Sequence, residues 1–177
     1  MCHTNYPISN LFEYLPVRYN ASYSEQQDRK EVYRFKDGDY SRRVLNGLES
    51  EIRSIVGYNP SSWVVAFIPA STSSRTRCKY ETLARELSRD LNVKVSLEAI
   101  YNVYDRESTM STGKVSDPTA PFGFRSSEFD GKKVILIDDV ITTGRSFNRC
   151  AEKLVANGAR TVHGLFVAKT VNPDWVN

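Results

Sequence analysis

Val134-Ile135-Leu136-Ile137-Asp138-Asp139-Val140-Ile141-Thr142-Thr143-Gly144-Arg145-Ser146 is the stretch that decides the fold. Its four leading apolar residues read as a strand of a parallel sheet covered by helices on both faces. Two carboxylates follow at the carboxyl end of that strand. After a hydroxyl-rich, glycine-containing turn a helical pattern begins at once. Phe147, Cys150, Ala151, Leu154 and Val155 recur at helical spacing, and Asn157-Gly158 is a natural stop. Residues 162–168 read as a further buried strand. Ligands of open α/β sheets bind outside the carboxyl ends of the strands. A helix amino terminus there attracts phosphate through unpaired N–H groups and its dipole. Gly144 lets the backbone approach a phosphate, and Thr142, Thr143 and Ser146 add hydroxyl donors. Asp138 and Asp139 suit sugar hydroxyls or a hydrated Mg²⁺. The unit predicts a sugar-phosphate site.

Outward from this stretch, helices and strands alternate. Residues 41–56 form a helix with Val44, Leu45, Leu48, Ile52, Ile55 and Val56 inward and Gly57 at its end. Residues 63–68 form a buried strand, 79–91 a helix, and 93–97 a strand, with a second strand near 100–104. The pattern predicts an α/β fold of doubly wound type with a mainly parallel sheet, in one domain over 1–177. Between the strand at 63–68 and its helix lies a second polar segment, residues 69–79. Ala70, Ser71, Thr72 and Ser73, with the cations Arg75, Arg77 and Lys79, offer N–H groups, hydroxyls and charge to an anion. Residues 105–130 are rich in Ser, Thr, Gly and Pro and read as a long loop. Loops of that length are often active-site lids, so Arg106, Glu107, Ser108, Thr109 and Lys114 are candidate lid contacts.

Composition narrows the classes. Apolar content of 40% and charged content of 25% are those of an ordinary globular chain, and a net charge of +3 does not call for nucleic acid. No apolar run approaches the ~20 residues of a membrane span. The first residues lack the regions of a secretory signal, and the three Cys, at 2, 78 and 150, are odd in number and far apart. Reduced thiols and a cytoplasmic home are expected. With two distant His and no paired Cys, a structural zinc site is not expected.

The stretch from Val134 to Ser146 resembles the diphosphosugar-binding motif of the type I phosphoribosyltransferases. Two rival motifs fit worse. A nucleoside triphosphatase would need a Gly-rich loop ending in Gly-Lys-Ser/Thr, and Ser108 to Val115 lacks both the first Gly and the final hydroxyl. A receiver domain carries its acidic pair near its amino end. The resemblance implies that Asp138 and Asp139 meet the ribose hydroxyls of phosphoribosyl diphosphate. It also implies that Thr142, Thr143, Gly144, Arg145 and Ser146 wrap the 5-phosphate, and that the 69–79 loop binds diphosphate. The implied activity is a Mg²⁺-dependent glycosyl transfer to a nitrogenous acceptor, in nucleotide metabolism, by a homodimer. A hood built from chain ends, residues 1–35 and 170–177, is implied to choose the acceptor. In the 6-oxopurine branch a carboxylate stands where this chain has Thr142, which argues against hypoxanthine or guanine and leaves orotate and adenine open. Tyr33-Arg34-Phe35-Lys36 gives a looser resemblance to competence-factor-like members, often of unassigned substrate. A binding module that senses phosphoribosyl diphosphate without turnover is the alternative.

Overall fold

The computed structural model describes residues 2–104, 117 and 119–172. Five parallel strands form the main sheet: β1 (Ile8–Tyr14), β2 (Trp63–Phe67), β3 (Lys94–Val95), β6 (Lys133–Ile141) and β7 (Thr161–Thr170), in the order β1-β7-β6-β2-β3. β4 (Ile100–Asn102) and β5 (Phe122–Phe124) make a separate antiparallel pair. The helices are α1 (Tyr23–Lys36), α2 (Arg42–Val56), α3 (Ser73–Asp90) and α4 (Arg145–Ala156). This is the doubly wound, mainly parallel architecture expected.

Two cores lie on the two faces of the sheet. On one, Val32 and Phe35 of α1, Leu45, Leu48 and Ile52 of α2, and Tyr80, Leu83 and Leu87 of α3 cover Val65, Phe67, Ile135, Ile137 and Leu165. On the other, Phe147, Cys150, Ala151 and Leu154 of α4 and Ile100 and Phe122 of the small pair cover Ala66, Val134, Leu136, Val162 and Phe166. The alternation of β6 side chains between these cores is the pleat of a strand buried on both faces.

Several boundaries differ from the sequence reading. Ile8–Tyr14, assigned there to a hood, is an edge strand paired with β7 from Ile8↔Gly164 to Tyr14↔Thr170. α3 begins at Ser73, six residues early, because the Thr72 hydroxyl accepts the Arg75 N–H as a cap. The loop read over 105–130 includes β5 and a short 3-10 turn at Ser126–Glu128. β6 runs four residues past Ile137, so the acidic pair lies within the strand, not after it. Ile55 and Val56 are only partly buried.

Candidate active site

The acidic pair stands where β6 loses one neighbour. Toward β2 the register ends at Phe67↔Ile137, followed by one bond from the Ile68 N–H to the Ile137 carbonyl (3.0 Å). Toward β7 it continues through Val140↔Ala168 and Ile141↔Lys169. Beyond this point α3 leaves β2 toward one face and α4 leaves β6 toward the other. The crevice between β2 and β6 is therefore the topological switch point, where ligands of such sheets bind. With β2 gone, the Asp139 N–H is taken by Asp138 Oδ1 at 2.8 Å, which satisfies a main-chain donor that the sheet no longer serves.

Two lysines meet the acids from different helices. Lys79 Nζ of α3 lies 2.7 Å from Asp138 Oδ1 and 3.6 Å from Asp139 Oδ1, with only 8% of its side chain exposed. Lys36 Nζ, at the end of α1, lies 3.6 Å from Asp139 Oδ2. The fully buried Tyr80 phenol donates to Asp138 Oδ1 at 2.9 Å. Burial works to raise the Asp138 carboxyl, but the Lys79 charge and hydrogen bond hold it below the usual carboxylate range. Asp139, buried and facing the Asp138 charge, is pushed up instead. Burial works against the Lys79 charge, and the two carboxylates still keep its pKa above the ordinary value. Burial and the Asp138 charge drive the Tyr80 phenol well above its usual range.

The turn after β6 forms a cradle. Asp138, Thr142, Thr143, Gly144, Arg145 and Ser146 line a cavity of about 150 Å³ floored by Ile68, Phe147 and Phe166. Side-chain caps close the amino ends of α1, α2 and α3, from Ser22, Ser41 and Thr72. α4 has Gly144 at that position and no side-chain cap. The Arg145 N–H makes a long bond to the Thr143 hydroxyl (3.4 Å), and the turn that follows lines the cavity, an arrangement that suits an anion. Gly144 sits at φ +78°, in the left-handed region, and a Cβ there would lie 2.7 Å from the His3 carbonyl oxygen. The amino-terminal segment passes behind the cradle. The Asn148 side chain donates to the His3 carbonyl (2.8 Å) and accepts from the Asn5 N–H (3.1 Å). Beneath the cradle, Phe147 packs over Gly164 of β7, where a Cβ would come within 2.7 Å of its ring. Thr142 reaches sideways, its hydroxyl 3.1 Å from that of Thr170.

The segment read as a diphosphate loop separates into two parts. Residues 68–72 form a tight turn held from outside. The Ala70 N–H donates to the Thr76 hydroxyl (3.0 Å), and Asn102 Nδ2 donates to the Ala70 carbonyl (2.9 Å). Thr72 is buried as the α3 cap, and the Ser71 hydroxyl lies 3.5 Å from the Arg75 guanidinium. From Ser73 onward the chain is helical, so its cations diverge. Arg75 and Lys79 are one turn apart on one face, and Arg77 points away. Arg77 lines a groove of about 320 Å³ with Glu81, Glu98 and Tyr101. Lys79, expected among the diphosphate cations, is turned into the acidic pair. Arg106, Glu107, Ser108, Thr109 and Lys114 lie outside the described residues.

Sequence reasoning missed Lys36, Tyr80, Thr76, Asn102 and the His3 to Asn148 clasp. Lys79 carried a signal that went unused. It stands four residues before Leu83 on the stripe that α3 buries, and a lysine on a buried stripe needs a charge partner.

A carboxylate-lined crevice at a switch point, beside a helix start without a side-chain cap, is the candidate site of this doubly wound fold. A profile of the phosphoribosyl transferase domain matches residues 81–169, half of the chain, and the protein belongs to that family. A ribose-phosphate pyrophosphokinase of Sulfolobus acidocaldarius is 30% identical over 86 residues, 46% of this chain and 28% of its own. A provisionally named ribose-phosphate pyrophosphokinase 2 of Streptococcus pneumoniae is 39% identical over 56 residues, 29% of this chain and 18% of its own. The chain thus spans less than a third of the length of either relative. An HPRT structure, an asparagine mutant at an invariant aspartic acid, superposes with a TM-score of 0.41 at 15% identity, covering 83% of this chain and 77% of that one. Among the described residues no helix is long and apolar enough to cross a membrane.

Proposed function

We propose that the protein binds phosphoribosyl diphosphate in the β2/β6 crevice and transfers the phosphoribosyl group to a nitrogenous acceptor, releasing diphosphate. One observation carries this reading: Asp138 of the acidic pair and the start of α4, which has no side-chain cap, line one cavity at the switch point. Together they fit a ligand with hydroxyls at one end and a phosphate at the other. The ribose-phosphate pyrophosphokinases that match part of the chain support the same moiety, since their names specify a ribose phosphate.

In this reading residues 142–146 and the first-turn N–H groups of α4 hold the 5-phosphate. The carboxylates accept hydrogen bonds from the ribose hydroxyls. The 70–72 turn, with Arg75 one helical turn from Lys79, faces the diphosphate. The bond from the anomeric carbon to diphosphate breaks and a carbon–nitrogen bond forms, with a proton leaving the nitrogen. The protein contributes position and fixed charge around an oxocarbenium-like centre. The acid pair does not fit a directly held Mg²⁺, because its charge is already met by Lys79 and Lys36. Mg²⁺ belongs in this scheme to the substrate, bound to its diphosphate oxygens. A homodimer in the cytoplasm completes the reading, and light scattering checks the dimer.

Isothermal titration with phosphoribosyl diphosphate and Mg²⁺, followed by diphosphate release across a panel of nitrogenous acceptors, tests the proposal. Binding with turnover on one acceptor supports it. Absence of binding sinks it, and binding without turnover on any acceptor gives the sensor alternative.

A further inference from the structure

We propose that Lys79 is the built-in cation of the sugar site, positioning Asp138 and Asp139 for the ribose hydroxyls in place of a protein-held divalent metal. The proposal rests on the sugar-phosphate reading of the crevice. Its basis is how the carboxylate oxygens are occupied. Asp138 Oδ1 receives three donors: Lys79 Nζ at 2.7 Å, the Tyr80 phenol at 2.9 Å and the Asp139 N–H at 2.8 Å. That fills the lone-pair directions of this one oxygen and leaves no room on it for a metal bond. Asp139 Oδ1 accepts the Val140 N–H at 2.8 Å and lies 3.6 Å from Lys79, while Oδ2 faces Lys36 at 3.6 Å. Each carboxylate charge therefore has an ammonium beside it.

Lys79 cannot easily swing aside for a metal. Its ammonium lies 4.7 Å from the centre of the Tyr80 ring and 5.8 Å from that of Phe35, and both rings are fully buried. Withdrawing it from the carboxylates would leave a desolvated charge unpaired. The arrangement also makes the two acids unequal. Asp138 keeps only Oδ2 for a ligand. Asp139 faces a lysine, Lys36, that is 47% exposed and free to yield to a sugar hydroxyl.

The consequence is a separation of the metal requirement along the ligand. Ribose 5-phosphate carries the hydroxyls and the 5-phosphate and no diphosphate, so its binding is independent of Mg²⁺. The test is titration of the full chain with ribose 5-phosphate and with inorganic phosphate, each with Mg²⁺ and with a chelator, for wild type and K79M. In the wild type the ribose 5-phosphate affinity changes less than about threefold on chelation. In K79M it falls by about 10- to 100-fold, the loss expected for a charged hydrogen bond. The residual binding becomes Mg²⁺-stimulated as a metal replaces the missing charge, and inorganic phosphate binds as before. A purely structural role would weaken phosphate equally and create no metal dependence. Ribose 5-phosphate that binds wild type only with Mg²⁺ overturns the proposal, as does K79M binding it like wild type. The wild-type comparison decides the matter even if K79M does not fold. If wild type binds neither ribose 5-phosphate nor phosphoribosyl diphosphate, the reading of the crevice itself fails.

Discussion

The carbonyl oxygen of His3 lies 2.7 Å from the point where a Cβ on Gly144 would stand. The amino-terminal segment and the 142–146 cradle are thus in backbone contact, with a bare Cα at the crossing.

Gly144→Ala meets two penalties at once, a left-handed backbone and an overlap with main chain that cannot rotate away. The expected loss of stability is about 1–3 kcal/mol. Inorganic phosphate affinity should fall with it, read by urea denaturation and by titration. Full stability with full affinity would show that the segment does not press on the turn.

Gly164→Ala acts on the same cradle from below. The added methyl would stand 2.7 Å from atoms of the Phe147 and Phe166 rings, within the core on that face. Overpacking of this kind costs about 1–3 kcal/mol. Because Phe147 sits in the first turn of α4, phosphate affinity should drop although Gly164 touches no ligand. A thermal shift without any change in affinity would refute that link.

Thr76→Val leaves the Ala70 N–H without its acceptor and deprives Asn102 of a partner 3.1 Å away. An unpaired amide costs up to about 1–3 kcal/mol, with the lower end expected here because Ala70 is only partly buried. In the proposed reading the turn it loosens meets the diphosphate, so affinity for phosphoribosyl diphosphate should fall by about tenfold while ribose 5-phosphate is unaffected. Equal losses for both ligands would remove the assignment of this turn to the diphosphate.

His163 gives a pH signature. Its ring nitrogen Nε2 lies 3.0 Å from the Ser9 hydroxyl, and burial lowers its pKa from 6.5, with the Glu51 charge opposing. The unfolded chain then binds the proton first as pH falls. The stability it contributes is complete above 6.5 and is lost as pH drops through the lower folded-state value. His163→Gln should flatten the decline in urea midpoint between about pH 7 and about pH 5. An unchanged slope would assign the decline to other groups.

The elements that were legible in sequence share a cause. β2, β6 and β7 are buried on both faces, so their apolar runs are continuous and hard to misread. β1 was not legible because an edge strand buries little. Ile8-Ser9-Asn10-Leu11-Phe12-Glu13-Tyr14 has one buried residue, Phe12, and no clean alternation. β5 is Phe-Gly-Phe, too short to register as a pattern. The cradle was readable because its residues are contiguous. The charge network was not, because Lys36, Lys79 and Asp139 are brought together by three different elements. The start of α3 was misplaced for a chemical reason, since Thr72 serves equally as a loop hydroxyl and as a cap.

The one-sided pairing of β6 beyond Ile137 has a mechanical meaning. The acids and the cradle are stitched to β7, and the turn at 70–72 belongs to β2. Past that residue no main-chain bond joins the two strands. The crevice is a seam between two halves of the molecule, crossed by the bridge from Lys79 to the acids. A ligand grasped at its phosphate by one half and at its far end by the other would act as a rivet. Amide hydrogen exchange at Ile68, Asp139 and Ala70 should slow together when it binds, although these amides belong to different strands and loops.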